Sequence, residues 1–363
     1  MAVSQLPKLN LLLLSTPVGA IGSGLGGGVE LTLTNIARSL IALGHSVTVV
    51  APEGSVLDEI PLVQIPGNLQ ITAQSQGRDA LITLPANSVL GNCWNYARQV
   101  QHQYDVLINF AYDWLPFYLT PSFERPIAHL VSMGSLTDAM DHIIGEVAEQ
   151  FPNTIAVHSL AQADTFSFRD RCFNLKNGFD LSQYQFNSTP NNHLAWVGRI
   201  ASEKGLEDAV AAVQQLEIPL KIWGVIQDES YWNNIRANYP NAPIEYCGFL
   251  STQDLQKALG QSRALLMTPH WIEAFGNVAI EALACGVPVI AYRRGGPAEI
   301  VKESETGWLV EPDSVAGLVE AISKLEKIDR ANCRLDAERE YSLEAMGKRL
   351  EIWLDRIVQS QNF

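Results

Sequence analysis

The sequence predicts an α/β protein of two domains, each built on an open, parallel β-sheet. Three observations support this prediction. The chain has 363 residues, which is enough for two domains at about 150 residues each. Hydrophobic residues make up 47% of the chain and charged residues 18%, so both domains can bury a core. Short apolar runs alternate with helix-like segments in both halves, as they do in parallel sheets whose strands are joined by helices.

In the first half, the strand candidates are short apolar runs. They lie at residues 9–14, 47–50, 106–109, 127–131 and 154–158. The first run is too short for a signal-peptide core or a membrane span, so it predicts a buried first strand. A helix is predicted from about Gly28 to Leu43, because Gly44 follows and glycine commonly ends helices.

In the second half, the same pattern restarts after a polar, turn-rich segment at residues 187–192, which predicts a linker. The strand candidates there lie at residues 193–197, 220–223, 244–246, 264–267 and 287–291. Residues 342–361 predict one long helix. The predicted organisation is an N-terminal domain at residues 1–182, a C-terminal domain at residues 183–341 and a terminal helix at residues 342–363.

The charge and the cysteines exclude several classes of protein. A formal net charge of −14 is unsuited to non-specific nucleic-acid binding, which needs a basic face, and to docking on anionic lipid. The five cysteines form no C-x-x-C pair and no cluster with histidine, so neither a zinc site nor a disulfide framework is expected. These features together predict a cytoplasmic protein.

A glycine-rich segment, residues 22–28, precedes the first predicted helix. Glycines let a phosphate approach backbone N–H groups, and the helix N-terminus favours an anion. Residues 22–27 also fit G-x-G-x-x-G, and Glu53 follows the second strand candidate, as in a dinucleotide site. Residues 15–21 separate the first strand from these glycines, however, whereas the fingerprint begins where the strand ends. A loop that closes over a phosphate or a sugar is therefore favoured, with Gly27 and Gly28 nearest the helix.

Two basic residues follow the first strand of the second half. Arg199 and Lys204 would both stand at the carboxyl end of that strand, on the loop into the next helix. Two cations beside a helix N-terminus form an anion site that suits a diphosphate. The alternative is a solvated surface pair.

Two carboxylates, Glu273 and Glu281, lie eight positions apart after the fourth strand of this half. If Gly276 opens a helix, Glu281 lies in its second turn, near the same end as Glu273. The N–H groups of Phe275, Gly276 and Asn277 would then point at an anion. A carboxylate in this place can accept paired hydrogen bonds from sugar or ribose hydroxyls.

Together these motifs resemble glycosyltransferase family 4. The run G-R-x-x-x-E-K-G at residues 198–205 resembles the phosphate motif of that family, and the E-x7-E segment followed by A-L-A-C-G-V-P is its most specific signature. The runs N-G-F-D at 177–180, G-G-P-A-E at 295–299 and T-G-W-L-V at 306–310 are similar to its other elements. The resemblance covers nearly the whole chain and is stronger in the second half.

The resemblance implies the GT-B fold, in which two Rossmann-like α/β domains face each other across a cleft and a C-terminal helix crosses back to the first domain. It also implies a retaining, metal-independent hexosyltransferase that needs no cofactor besides its nucleotide-sugar donor. The N-terminal domain would bind the acceptor and the C-terminal domain the donor.

The resemblance also implies roles for individual residues. Arg199 and Lys204 would bind the donor diphosphate, Glu281 the ribose and Glu273 the hydroxyls of the donor sugar. His129 resembles the histidine of the N-terminal domain that reaches this sugar; a structural role is its alternative. The predicted catalytic residues are Glu273, Lys204, Arg199 and His129. The predicted donor site comprises Gly27, Gly28, Arg199, Lys204, Phe249, Leu250, Phe275, Gly276, Asn277, Val278 and Glu281.

The acceptor side resembles the cyanobacterial pteridine glucosyltransferases, which act on tetrahydrobiopterin with UDP-glucose, through residues 15–30 and 133–138. A pterin ring carries adjacent N–H donors that one carboxylate can receive with two hydrogen bonds. Glu30, Asp113 and Asp138 are candidates for that carboxylate, and Trp114 could cover the flat ring.

Two alternatives remain open at this point. One is a family 4 enzyme that acts on a sugar, a sugar phosphate or a lipid-linked glycan; the other is a nucleotide-sugar-binding module without catalysis. A sugar-phosphate acceptor would need further cations in the first half, for which the candidates are Arg78, Arg98, Arg125, Arg169 and Arg171. The presence of both Lys204 and Glu273 favours an enzyme. No motif specifies an oligomeric state.

Overall fold

The chain divides into two compact units. The computed structural model describes residues 6–23, 27–71 and 77–360. Unit 1 is Met1–Gly178 together with Leu343–Phe363, and unit 2 is Phe179–Ser342. The predicted linker at residues 187–192 is therefore misplaced. Asn187 lies inside unit 2, where its carbonyl accepts a hydrogen bond of 2.7 Å from Arg330 Nε and its amide donates to the Gly260 carbonyl at 3.0 Å.

Unit 1 is built on a parallel sheet, which in the described residues has seven strands in the order β3-β2-β1-β4-β5-β6-β7. The strands are β1 Asn10–Leu14, β2 Ser46–Pro52, β3 Leu62–Ile65, β4 Val106–Asn109, β5 Ile127–Leu130, β6 Ile155–Val157 and β7 Phe173–Asn174. The α-helices up to the end of this sheet are α1 Gly28–Ala42, α2 Val89–Val100, α3 Trp114–Leu119, α4 Asp138–Gln150 and α5 Leu160–Ala163.

Unit 2 repeats this architecture with six parallel strands in its described residues, in the order β10-β9-β8-β11-β12-β13. The strands are β8 Leu194–Val197, β9 Leu220–Trp223, β10 Ile244–Tyr246, β11 Leu265–Met267, β12 Val289–Tyr292 and β13 Gly307–Val310. Its helices are α6 Leu206–Leu216, α7 Glu229–Asn238, α8 Thr252–Gly260, α9 Asn277–Ala284, α10 Pro297–Ile300, α11 Val315–Ser323 and α12 Arg330–Tyr341. Short 3₁₀ turns lie at Gln101–Gln103, Thr120–Ser122, Arg169–Arg171, Leu181–Gln183, Ser202–Lys204 and Leu325–Lys327.

The final helix, α13 (Leu343–Ser360), returns to unit 1 and packs along α1. Leu350, Trp353 and Ile357 are fully buried on this face. The indole N–H of Trp353 also donates to the Asn153 carbonyl at 2.8 Å, which satisfies its polar atom in the core. None of the helices in the described part of the chain has both the length and the apolar character needed to cross a membrane.

The prediction of two parallel α/β sheets is confirmed, and every strand candidate overlaps an observed strand. The sequence analysis missed β3, β7 and β13, which are all edge strands. An edge strand is often short and partly exposed, so it lacks the continuous apolar run of a central strand. By contrast, residues 11–14 of β1 are all fully buried, with Leu11 and Leu13 in one core cluster and Leu12 and Leu14 in another.

Each sheet has a point at which the order of its strands reverses. In unit 1 this point lies between β1 and β4, and in unit 2 between β8 and β11. Ligands of open α/β sheets bind outside the carboxyl ends of the strands at such a point. The loops that follow β8 and β11, residues 198–205 and 268–276, contain Arg199, Lys204, Phe275 and Gly276 of the predicted donor site. The helix α9 after the second loop contains Asn277, Val278 and Glu281.

The cysteines are all free, and Cys93, Cys285 and Cys333 are buried. Burial raises the pKa of each of these three thiols to about 12. They are therefore protonated at neutral pH, which fits inert core residues.

Candidate functional site

The loop after β8 turns sharply into α6 because Gly205 adopts a left-handed conformation, with φ = +63°. It ends the 3₁₀ turn that carries Lys204 and precedes the first residue of α6. A Cβ atom here would lie 1.9 Å from the carbonyl oxygen of Thr268, so only glycine allows this close approach. The loop after β8 thus lies directly against the loop after β11.

Hydrogen bonds join the same two loops. The backbone N–H of His270 donates to the Glu203 carbonyl at 2.9 Å, and the Thr268 hydroxyl donates to the Gly205 carbonyl at 2.6 Å. On the other side, the N–H of Gly296 donates to the Glu273 carbonyl at 2.7 Å. These contacts fix Lys204 and Glu273 on neighbouring backbones although they lie 69 residues apart in the chain.

Lys204 and Glu273 form an ion pair between the Lys204 Nζ and Glu273 Oε2 atoms, and both side chains are largely buried, at 18% and 19% exposure. Trp271 completes the cluster. Its indole N–H donates to the same Glu273 oxygen at 3.1 Å, and the Lys204 ammonium lies 4.8 Å from the centre of its ring. Partial burial strengthens such an interaction between a cation and an aromatic ring. Sequence reasoning gave Trp271 no role, and the only signal for one was its position two residues before Glu273.

Arg199 lies at the start of the same loop and is paired less tightly. It forms an ion pair of 3.0 Å with Glu203, and both side chains are about one-third exposed. Its guanidinium also donates to the Gln227 side chain. A guanidinium has five N–H donors, which is more than Glu203 and Gln227 use. Arg199 can therefore still bind a further anion.

The helix α9 begins at Asn277, after Gly276 with φ = +94°. Phe275 and Gly276 are buried, while Asn277 and Val278 in the first turn are partly exposed. The N-terminus of this eight-residue helix directly follows the loop that carries Glu273, as the sequence predicted. A helix N-terminus carries partial positive charge, which favours an anion in this place.

Glu281, in the second turn of α9, is in a different environment from Glu273. Its Oε1 accepts a hydrogen bond of 3.2 Å from the hydroxyl of the buried Tyr184. Burial raises the pKa of Glu281 to about 7, and the hydrogen bond from Tyr184 opposes this shift. Glu281 therefore changes its charge near neutral pH.

The predicted base-binding residues follow β10. Gly248 has φ = +75° and its carbonyl accepts from the Gly224 N–H at 2.9 Å, which aligns the loops after β10 and β9. Phe249 is 70% exposed and Leu250 is partly exposed. An exposed aromatic ring can stack on any nucleobase.

The glycine-rich segment lies in unit 1 and is described in part, since residues 24–26 lie outside the described residues. Gly27 has φ = +57° and precedes Gly28, the first residue of α1. Glu30, a predicted acceptor ligand, turns back instead toward the start of the segment, where its carboxylate accepts from the Gly22 N–H at 2.8 Å. Its position supports a role in shaping the loop.

His129 has no exposed surface to offer a ligand, which favours the structural alternative over the predicted catalytic role. It lies in β5 with no exposed surface, and its ring stacks on Phe117 at 4.3 Å. Thr120 donates its hydroxyl to the Pro116 carbonyl, so it accepts the Nε2–H of His129 at 3.0 Å, while Nδ1 accepts from the Asn109 amide at 3.2 Å. Both ring nitrogens are thus satisfied inside the core, and the structural alternative is correct.

The other predicted acceptor residues lie after β4 and near the start of α4. Asp113 caps α3 through the Leu115 N–H and accepts from the Gln70 amide at 2.7 Å. Trp114 stacks on Tyr118 with ring centres 4.4 Å apart. Asp138 is 72% exposed and pairs with Arg78 at 2.8 Å. Asp113 and Trp114 lie beside the strand reversal of unit 1, whereas Asp138 follows β5.

In the described residues, one cluster has the donor spacing of a metal site: Asp208, His270 and Asp313, whose ligand atoms lie within 4.8 Å of one another. Partners within the protein already bind these groups. Asp208 accepts from His270 Nε2 at 3.0 Å and from the Tyr292 hydroxyl at 2.6 Å, and Asp313 pairs with Arg294 at 2.8 Å. Arg294 also donates to the Pro269 carbonyl at 2.9 Å, so these side chains form a network that supports the loop after β11.

Comparison with known proteins identifies the architecture. Residues 181–340, almost all of unit 2, match the family model of the Glycosyl transferases group 1. The solved structure of Anabaena Alr3699/HepE in complex with UDP has a TM-score of 0.76 and 18% identity, with 96% of this chain and 100% of that chain covered. The chain has the GT-B fold. The complex of Alr3699/HepE with UDP-glucose has a TM-score of 0.74 at 17% identity, with 96% and 100% covered.

Two curated relatives extend this result. The chain is 32% identical over 177 residues to a glycogen synthase of Mycobacterium tuberculosis, an alignment that covers 46% of this chain and 42% of that protein. It is 23% identical over 400 residues to a D-inositol 3-phosphate glycosyltransferase of Corynebacterium aurimucosum, with 93% of both covered. The chain thus spans less than half the length of the glycogen synthase that it matches.

The burial of His129 leads to a spectroscopic prediction. Burial lowers the pKa of His129 to about 3, whereas an exposed imidazole is mostly protonated at about pH 5. Nitrogen NMR of the histidine rings at that pH should therefore find His129 neutral and protonated at Nε2. Because the unfolded state binds the proton first, the contribution of His129 to stability is complete above the unfolded value of 6.5 and is lost as the pH falls below it. A charged His129 ring at about pH 5 would contradict this assignment.

The contact of Gly205 with Thr268 leads to a second prediction. Gly205→Ala should lower the free energy of unfolding by about 3–5 kcal/mol, because the added Cβ forces the two loops apart. Gly248→Ala is the matched control: Gly248 also has positive φ, but no atom lies within 4 Å of its added Cβ. Its loss should be about 1–2 kcal/mol, the cost of the backbone conformation alone. Urea denaturation measures both, and equal losses would show that the loop contact contributes nothing.

Proposed function

We propose that this protein is a retaining, metal-independent hexosyltransferase of glycosyltransferase family 4. It transfers glucose from UDP-glucose to a small soluble acceptor, for which a pteridine such as tetrahydrobiopterin is the leading candidate. The donor binds to unit 2 through the loops after β8 and β11, and the acceptor binds to unit 1.

The observation that carries this proposal is the direct pairing of Lys204 with Glu273. In a nucleotide sugar, the phosphate is bonded directly to the anomeric carbon of the hexose. A site for it therefore needs a cation and a hydroxyl acceptor next to each other. Lys204 suits the phosphate, Glu273 suits the hydroxyls of the hexose, and Trp271 limits the movement of both.

The same pairing suggests how the reaction is catalysed. As the bond between the anomeric carbon and the phosphate oxygen breaks, negative charge develops on the diphosphate, and Lys204 and Arg199 stabilise it. Preformed electrostatic stabilisation of this kind is commonly the largest contribution to catalysis. The acceptor hydroxyl adds to the anomeric carbon on the face that the phosphate leaves, and its proton passes to the leaving phosphate oxygen. Charge stabilisation by the two cations requires no metal ion.

Support for glucose and uridine comes from the fold. Alr3699/HepE, which shares the GT-B fold over 96% of this chain, forms complexes with UDP and with UDP-glucose. The exposed ring of Phe249 after β10 suits stacking on the base, and Glu281 suits the ribose hydroxyls. We therefore extend UDP-glucose to this chain as its donor.

Support for a pteridine acceptor comes from Asp113 and Trp114. Asp113 lies at the carboxyl end of β4, and its partner Gln70 also bonds through its backbone N–H to the Pro17 carbonyl in the segment after β1. Gln70 thus connects the Asp113 carboxylate, which follows β4, to the segment after β1, and these are the two strands on either side of the reversal point. The partly exposed Trp114 stands next to it, so a carboxylate and a flat ring are available together for a flat heterocycle.

A sugar-phosphate acceptor is less well supported. It would need cations in unit 1 that are not already neutralised. Arg78 pairs with Asp138 and Asp141 at 2.8 Å, and Arg169 pairs with Asp164 at 2.5 Å. These ion pairs reduce the positive potential that Arg78 and Arg169, two of the five candidate cations, could offer to a phosphate.

Substitution of the paired residues should separate their roles. Lys204→Ala should lower glucose transfer by about 100-fold or more and weaken UDP binding, because it removes the cation that meets the diphosphate. Glu273→Gln should lower transfer but leave UDP affinity nearly unchanged, since its partner is the hexose. UDP release and calorimetric UDP titration measure the two effects. The exposed Lys257→Ala is the control, and full transfer by Lys204→Ala would refute the proposed function.

The acceptor is tested with a panel. UDP-glucose is incubated with tetrahydrobiopterin, free sugars and sugar phosphates, and UDP release, product mass and anomeric configuration are recorded. The expected product is a pterin glucoside with an α linkage, formed more slowly by Asp113→Asn although that variant binds UDP normally. Turnover of another acceptor without a pterin product would refute the pteridine assignment alone.

A further inference from the structure

Tyr184 lies beneath the second turn of α9, where it meets a carboxylate far away in sequence. It follows the 3₁₀ turn Leu181–Gln183 and is 5% exposed. Its hydroxyl donates to Glu281 Oε1 at 3.2 Å across 97 residues of sequence. A phenylalanine would fill the same volume, so the hydroxyl serves the carboxylate rather than the packing.

Arg334, on α12, holds Tyr184 in this position. Its guanidinium donates to the carbonyls of Tyr184 and Ala284, both at 2.8 Å, and to the Leu181 carbonyl at 3.2 Å. One side chain therefore ties the segment that carries Tyr184 to the end of α9, the helix that carries Glu281. The distance between the hydroxyl and the carboxylate is fixed by backbone contacts on both sides.

We propose that Tyr184 is a positioning residue that orients the Glu281 carboxylate toward the ribose of the donor. The inference rests on the proposed function, in which Glu281 binds the ribose. One lone pair of Oε1 accepts from Tyr184, and the remaining lone pairs of the carboxylate accept the two ribose hydroxyls. A protonated Glu281 would have fewer lone pairs to accept hydrogen bonds, and its own proton would need an acceptor. It would therefore bind the two ribose hydroxyls less well.

The charges around Glu281 decide how this site responds to pH. Burial raises the pKa of Glu281 to about 7, and Tyr184 lowers it. Donor affinity is therefore complete above pH 7 and is lost as the pH falls through this value. Loss of the Tyr184 hydroxyl raises the pKa further and moves the loss of affinity to higher pH. The other charged or titratable groups next to Glu281 and Tyr184 or on the elements packed against α9 are Asp180, Asp254, Lys257, Cys285, Tyr292, Glu299, Arg330, Cys333, Arg334, Asp336, Glu338, Arg339, Glu340 and Tyr341.

The test is the affinity of the full chain for UDP-glucose, measured by calorimetry between about pH 6 and 8.5. UDP-glucose is the probe because its diphosphate is a diester that has no proton to lose in this range. The wild-type affinity should fall about tenfold from pH 8 to pH 6, since each pH unit below the pKa removes most of the ionised form. Tyr184→Phe should bind about two- to tenfold more weakly at pH 7 and recover at pH 8.5.

Two further variants separate the possible failures. Tyr231→Phe is the matched control, because the Tyr231 hydroxyl also donates to a glutamate, Glu207, in the same unit; it should keep the wild-type profile. Glu281→Gln should bind weakly at every pH. The inference about Tyr184 would be overturned if the affinity of Tyr184→Phe for UDP-glucose fell at the same pH as that of the wild type. It would also be overturned if the wild-type affinity did not change with pH. Wild-type affinity in Glu281→Gln would instead refute the role of Glu281 in the proposed function.

Discussion

The close approach of Gly205 to the Thr268 carbonyl is the constraint on which the site in unit 2 depends. Parallel sheets bring the carboxyl ends of β8 and β11 together, but two side chains on long loops would not meet reproducibly on that account alone. The left-handed glycine lets the backbones touch, and the His270 and Thr268 hydrogen bonds hold them there. The backbones thus place Lys204 and Glu273 close together. Only side-chain rotamer freedom is then lost when the two residues pair.

This arrangement explains how an acidic chain could bind the phosphates of the proposed donor. The net charge of −14 gives no general attraction for an anion, so the positive potential must be local. Lys204 and Arg199 supply it, and each is matched by a glutamate that keeps the free protein from burying an isolated cation. A bound diphosphate would share these cations with their glutamates, and the N-terminus of α9 would add its partial positive charge.

The sequence predicts the fold and the order of the site loops well because both depend on local patterns. Central strands such as β8 and β11 are continuous apolar runs, and the loops that carry the charged motifs follow them directly. The edge strand β3 was missed since its residues are partly exposed. His129 was misjudged because a histidine at the end of a strand has the same sequence signal whether it points into a site or into the core. Its partners Asn109 and Thr120, which decide the matter, come from other segments of the chain. Trp271 and Tyr184 were missed for the same reason, as their meaning lies in contacts rather than in a motif.

The two glutamates of one short segment show how environment divides the work of identical side chains. Glu273 is paired with the Lys204 ammonium and accepts a hydrogen bond from the Trp271 indole N–H. Glu281, eight residues later, lies where burial raises its pKa into the neutral range and where a tyrosine hydroxyl is its hydrogen-bond partner. The environment of Glu281 therefore makes its charge depend on pH in the neutral range. If the ribose meets Glu281, mild acidification weakens the binding of the nucleotide. A change of pH would then act on the reaction through the affinity for the donor.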